Sequence, residues 1–229
     1  MREILHMTTA VCAIFVATTC MAARPPAESP LPDHFSKFDS LTGKLLIATP
    51  EMADPRFSGT VIFMVQHDET GAMGLVINRA LGKQPLGSLL DGTVFDDDQV
   101  PGYLRVHYGG PVMPQLRFVL HSSDYFGRET TVVNGCAALS RDYDILRAIS
   151  DGTGPRHALV AFGYAGWGAG QLELELEEEA WTVAFADEAI IFDDEVQTKW
   201  QRARDAGIKE RCGEREVKQI LSPRAGEFF

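Results

Sequence analysis

TVIFMVQHDETGAMGLVINR, Thr60–Arg79, reads as a β-hairpin, and the fold class follows from it. Val61, Ile62, Phe63 and Val65 are β-branched or aromatic, the residue types that suit a pleated, half-buried surface. The run stops at His67, and DETGA supplies turn residues and a glycine before MGLVINR resumes as a second strand. Two such runs joined by so short a turn pair antiparallel.

Working outward, Leu45–Ala48 forms a short apolar strand stopped by Pro50, and Pro85–Leu90 (PLGSLL) a helical turn or two. LRVHYGG and LRFVLHS are further strands separated by a tight GGPVMPQ connection, and TTVVNG is another. Ser140 is expected to N-cap a helix, RDYDILRAI, in which Tyr143, Leu146 and Ile149 recur at helical spacing. HALVAFGYA, from His157, is a strongly apolar strand. In QLELELEEE the leucines alternate as in a strand, but every residue is a good helix former, and we assign a helix. WTVAFA is a strand, and EVQTKWQRARDAG an amphipathic helix ending at Gly207, a residue suited to a left-handed C′ position. The basic cluster Lys199, Arg202 and Arg204 on it reads as a solvated face. Hairpins are frequent and strict βαβ alternation is absent, so the class is α+β and the sheet mixed and hairpin-rich.

The strand from His157 runs into GYAGWGAGQLE, Gly163–Glu173. So many glycines beside Tyr164 and Trp167 suit neither a helix nor a strand. The block reads as a tight strand-to-helix junction, with Trp167 packed on a neighbouring sheet. Its G-x-G-x-G pattern differs from a dinucleotide fingerprint, which leaves an anion cradle as the lesser alternative.

At 229 residues the chain has length for one domain and a real core. Residues 1–40 read as a leader-like segment and Pro-rich linker, 41–210 as the globular domain and 211–229 as a charged tail. The apolar stretch from Thr8 to Ala23 is too short to span a membrane. It reads as a signal peptide ending near residue 22, or as sequence ahead of a start at Met21. The net charge of −11 disfavours contact with a phosphate backbone, and no basic patch offsets it, so no direct nucleic-acid contact is expected. Of the cysteines, Cys136 and Cys212 lie beyond the leader, outside any Cys-x-x-Cys pair. Both read as buried or incidental thiols, with a reactive thiol at Cys136, beside an expected helix start, as the alternative.

Catalytic signatures are missing: there is no G-x-S-x-G, no H-E-x-x-H and no P-loop lysine. The acidic run in DGTVFDDDQVPG lacks the alternating ligands of a calcium loop. His67, His107, His121 and His157 sit in or at the ends of strands without metal-ligand spacing, and each reads as a structural histidine. No metal and no cofactor are expected. Arg79, at the hairpin exit beside Asn78, suits a forked contact with a carboxylate or phosphate, or pairing with an acidic residue of its own chain near Asp54.

LLIATPEMADPRF, VIFMVQHDETGAMGLVINR, HYGGPVMPQLRFVLHS, GYAGWGAGQLELEL with Trp181, and FDDEVQTKW together resemble, in order and spacing, the bacterial YqgE/AlgH family from about Leu41 to Gly207. Glu179 departs from the family's usual asparagine. The resemblance implies an α+β domain whose bifurcated β-sheet forms a pseudo-barrel with flanking helices, and a cytoplasmic location, with export through residues 1–22 as the alternative. It also implies a regulator label, for exopolysaccharide transcription, with no established activity behind it. Without a helix-turn-helix, regulation would run through a protein partner or small ligand.

Two readings follow. In the first the chain is a non-enzymatic binding module whose surface is built from Asn78, Arg79, Gly109, Gly110, Gly163, Gly166, Trp167, Gly168 and Gln171, with His67 beside them, because connections positioned by a rigid sheet are where function concentrates. In the second it is an enzyme using His67 or His121 as general base with Asp68 or Asp54. A third possibility is that Gly166 and Gly168 serve chain geometry alone.

Overall fold

The computed structural model describes residues 40–90 and 100–205. The leader and linker, most of the acidic loop, Gly207 and the tail lie outside the described residues. In chain order the elements are β1 (Lys44–Ala48), β2 (Val61–Asp68), β3 (Gly71–Val76), β4 (Ala80–Pro85), α1 (Leu86–Leu89), β5 (Tyr103–Tyr108), β6 (Val112–Ser122), β7 (Thr130–Val132), β8 (Ala137–Ser140), α2 (Asp144–Ser150), β9 (Ala158–Gly168), α3 (Gln171–Glu177), β10 (Trp181–Phe185), α4 (Glu188–Phe192) and α5 (Val196–Asp205).

The expected hairpin is β2–β3, paired antiparallel from Ile62↔Val76 to Asp68↔Gly71 with a bulge at Val65. VIFM is continuously apolar because both faces of β2 are covered. Val61 and Phe63 join the layer under α4 and α5, while Ile62 and Met64 join the layer holding Trp167, Leu172 and Trp181. A third apolar layer, with Leu86, Leu146 and Val160, lies under α1 and α2.

One curled, mostly antiparallel sheet runs β10-β1-β2-β3-β9-β6-β8-β7, and the ribbon β4–β5 branches from it at β9. The fork is built into β9. Its residues Ala158–Phe162 and Tyr164 pair with β6, Val160–Phe162 with β5 in parallel, and Ala165–Gly168 with β3. Gly109 sits in the fork, donating to the Phe162 carbonyl (2.8 Å) and accepting from the Val76 amide (2.9 Å). The two chain segments cross with bare backbone against bare backbone. A Cβ on Gly163 would land on the Gly110 carbonyl, and one on Gly109 or Gly110 would land on Gly163 or Tyr164. Gly163 also adopts φ 70°, which an L side chain resists.

That crossing corrects the reading of the glycine block. Gly163, Gly166 and Gly168 lie within an eleven-residue strand, and the helix junction comes only at Gly170 (φ 73°). Nor do Gly166 and Gly168 have positive φ, so chain geometry does not require glycine there. Other differences are local. Ser140 does not cap a helix: it ends β8, fully buried, its hydroxyl bonded to His121 (3.0 Å) and Thr130 (2.7 Å), and α2 starts at Asp144. The GGPVMPQ connection is shorter than expected, because Val112–Gln115 already belong to β6 through an irregular stretch in which Met113 has φ 47°. Lys199 is not on a solvated face but fully buried, and Arg202 pairs with Asp193 (2.7 Å). Cys136 is disulfide-bonded, so it is neither an incidental thiol nor a reactive one. The Gln171–Glu177 segment is helical, as its propensities indicate.

Candidate functional site

α3 folds back over the end of β9 because three polar side chains fasten it. Glu175 accepts from the indole N–H of both Trp167 and Trp181 (2.8 Å each) and from the Gln171 amide (2.9 Å). Gln171 in turn accepts from the Gly168 amide (3.1 Å). The two indoles meet edge to face at 6.0 Å, and Phe57 packs on both. Glu173 pairs with His67 Nε2 at 2.7 Å, both side chains largely buried. His67 Nδ1 accepts from the Leu41 amide (3.0 Å), which leaves the ring proton on Nε2, donated to Glu173. Both nitrogens of His67 are thus spent in holding Leu41 and α3 to β2. Neither Glu173 nor Glu175 stands out in the sequence, where the Leu/Glu alternation presents them as surface charge.

Beside this clamp lies an open groove of about 450 Å3. Gly71, Ala72 and Met73 of β3 and Gly166 and Trp167 of β9 form its floor, with Val112 and Tyr164 on one side and Gln66 and Thr70 on the other. Gly166 keeps the floor bare: a Cβ there would come within 3.0 Å of the Tyr164 ring, which would have to give way, and 3.7 Å of Val112.

Of the residues singled out in the sequence, the structure brings together Gly166, Trp167, Gly168 and Gln171, with His67 one strand away, paired with Ala72. Gly163, Gly109 and Gly110 form the backbone crossing at the fork. Asn78 and Arg79 lie beyond the other end of β3. The Asn78 side chain accepts from the Val61 amide (2.9 Å) and donates to the Gly59 carbonyl (2.8 Å), pinning the turn into β2. Arg79 donates to the Ser58 carbonyl (3.2 Å), and Asp54 pairs with Arg56 instead (2.6 Å).

The histidine–aspartate pairs suggested for general-base chemistry are not formed. Asp68 is held by Thr70 and Gln66, whose hydrogen bonds bring its carboxyl down to about 2. His121 is buried, bonded to the Ser122 carbonyl (2.8 Å) and Ser140, and burial holds its imidazole below the ordinary range. His157 stacks on Phe192. His107 is fully buried, and among the described residues neither ring nitrogen has a hydrogen-bond partner. Burial, with Lys199 and Arg105 nearby, pushes it down to about 4, so it is neutral at pH 7. Among the described residues no cluster of His, Cys, Asp and Glu could hold a metal ion, and no helix is long and apolar enough to cross a membrane.

A family model described as AlgH-like matches residues 45–209, the region that carries both fork and clamp. The chain belongs to the AlgH-like family. Relatives agree along most of their length. A UPF0301 protein of Rhodospirillum rubrum is 45% identical over 168 residues, 71% of this chain and 85% of that one. A UPF0301 protein of Sphingopyxis alaskensis is 43% identical over 187 residues, 81% and 95% of the two chains. The solution structure of the AlgH protein from Pseudomonas aeruginosa, 38% identical, superposes with a TM-score of 0.59 over 82% of this chain and 96% of that one. A Corynebacterium diphtheriae protein at 20% identity and TM-score 0.54 shares the fold. The AlgH-like fold is therefore the α+β fork described above.

Proposed function

We propose that this AlgH-like protein is a non-enzymatic binding module, and that it holds a segment of a protein partner in the groove over β3 and β9. One observation carries the reading: Gly166 leaves the groove floor bare although its φ is not left-handed and the nearest atoms to a Cβ there belong to the Tyr164 and Val112 side chains, not to backbone. A glycine that neither φ nor backbone crowding demands, on the floor of a concave surface, fits a place where something else approaches closely. The apolar floor and the amide and hydroxyl rim of Gln66 and Thr70 suit an extended, mostly uncharged segment. The net charge of −11 favours regulation through such a partner over contact with DNA.

The test is a photo-crosslinking amino acid placed at Thr70, with exposed Leu81 as the control position, in cells of the source organism. We expect a discrete adduct from Thr70 that is absent from Leu81. Gly166→Val should abolish it while keeping a single cooperative unfolding transition, with some stability lost as the Tyr164 ring gives way. The same adduct from both positions, or one that survives Gly166→Val, removes the groove as the site.

From the family resemblance we propose a cytoplasmic location, with export through residues 1–22 as the alternative. Mass spectrometry of the native protein decides between them: a mature chain beginning after residue 22 selects export.

A further inference from the structure

We infer a second binding site, at the β10 edge of the sheet, for a small amphiphile with an anionic head, in the class of a medium-chain carboxylate. A crevice of about 270 Å3 opens between β1, β10 and α5. Ile47, Ala184, Phe185 and Ala203 give it an apolar lining, and Lys44 and Arg204 stand in its wall as the two charged groups. Ligand pockets begin at roughly 300 Å3, so this crevice suits one short apolar chain, on the order of ten heavy atoms, rather than a drug-sized molecule.

The charges decide the head group. Arg56, Arg105, Arg156, Lys199 and Arg202 each form an ion pair with a carboxylate of this chain. Among the described residues Lys44 and Arg204 do not, as Arg79, Lys83, Arg117, Arg128 and Arg141 do not; what sets these two apart is that they stand together in the wall of an apolar crevice. Each is steadied by an aromatic face instead. The Lys44 ammonium is 5.9 Å from the Phe185 ring centre, and the Arg204 guanidinium 4.6 Å from that of Trp200. Trp200 is itself anchored, donating from its indole to the Ala48 carbonyl (2.8 Å). Ring contacts of this kind restrain a cation without neutralising it, so the arginine fork and the ammonium keep their capacity for a carboxylate. An apolar crevice alone would take any short hydrocarbon; the two cations make it selective for an anion.

The test is a titration of the full-length, isotope-labelled chain followed by amide chemical shifts, with octanoate, 1-octanol, acetate, octyltrimethylammonium and octyl phosphate. Octanoate is expected to give saturable shifts centred on Thr182–Phe185 and Ala203, and 1-octanol to bind at least about tenfold more weakly. Acetate and the ammonium amphiphile are expected to give no saturable shifts. Lys44→Gln and Arg204→Gln should each weaken octanoate about tenfold, and the double variant should remove it, with unchanged melting temperatures as the check on folding. Gly166→Val should leave octanoate binding intact, which separates this site from the groove. Equal binding of 1-octanol, shifts centred elsewhere, or wild-type affinity in the glutamine variants overturns the site. A tenfold preference for octyl phosphate overturns the carboxylate assignment.

Discussion

Glu179 sits at the C-terminal end of α3 on left-handed backbone. The Ala180 amide bonds the Glu175 carbonyl (2.9 Å) and the Glu179 amide the Leu176 carbonyl (3.1 Å), the two bonds of a Schellman ending for α3. Glu179 is the C′ residue and has φ 57°. Left-handed backbone costs a residue with a Cβ roughly 1–2 kcal/mol, while glycine escapes the cost and asparagine tolerates it best of the rest. An asparagine at this position would answer a backbone demand and need no polar contact. We expect Glu179→Gly to raise stability by about 1 kcal/mol, or about 2–4 °C in melting temperature, with Glu179→Asn close behind. Glu179→Ala keeps the Cβ and loses only a charge at a helix C-terminus, worth a few tenths of a kcal/mol. A gain from alanine equal to that from glycine would assign the effect to charge and refute the backbone account.

Among the elements, β9 and α3 carry most of the architecture, and glycines of the same strand should respond differently to substitution. Gly163→Ala forces a Cβ onto the Gly110 carbonyl and onto left-handed backbone, and we expect a loss of about 3 kcal/mol or more in denaturant unfolding. Gly168→Ala meets nothing within 4 Å and should stay within about 1 kcal/mol of wild type. For α3, Glu175→Ala strands two indole N–H groups and should cost about 2–4 kcal/mol, with a change in tryptophan emission. Retention of both stability and emission would show that the clamp is not what holds the helix. The same elements show how far the sequence can be read. β2 and β3 were legible from their runs of β-branched and apolar residues joined by a short glycine-bearing turn, and α5 from its amphipathic pattern. β4 was not: all six of its residues are exposed, so it buries no face that could leave a pattern. β8 is four buried residues, Ala137–Ser140, too short to show a period, and its serine resembles a helix cap until His121 is seen against it. Of the candidate surface, Gly166 and Trp167 were legible as a glycine beside an aromatic. Gly71 and Met73 of β3 lie far in sequence from Val112 and from Gly166, and all meet only through β3–β9 and β6–β9 pairing.

At the scale of the whole molecule, the join between the sheet and its C-terminal helices is electrostatic at its centre, and it should respond to acid. Arg105 donates to the carbonyls of Phe192 (3.1 Å) and Asp193 (2.6 Å), and buried Lys199 to that of Ile191 (3.1 Å). The two cations thus cup the end of α4, where the helix dipole is negative. His107 lies fully buried beside them, facing Lys199 and Arg105, with Asp194 as the opposing charge. Burial first, and then the repulsion of a third positive charge by Lys199 and Arg105, holds His107 at about 4, against 6.5 in an unfolded chain. The sign follows from proton counting. Above pH 6.5 the ring is neutral in both states and contributes no pH dependence. Between 6.5 and 4 the unfolded chain takes up a proton that the folded one refuses, so stability falls as pH falls; below 4 both are protonated and the loss levels off. At about 1.4 kcal/mol per pH unit, that interval amounts to on the order of 3 kcal/mol. Asp68 and Asp193, whose carboxyls are held low by their hydrogen-bond partners and, for Asp193, by Lys199 and Arg202 as well, lose their contributions only at lower pH, so the window belongs to histidine. Within it His121, also held down by burial, adds a share of its own. Urea unfolding from pH 7 to 4 should therefore show a steep loss in the wild type and a shallower one in His107→Leu, the gap between the curves widening by about 1 kcal/mol per pH unit. Parallel curves for the two proteins would mean that His107 takes up its proton in the folded state as readily as in the unfolded one, and that the join between β5 and α5 has room for the charge.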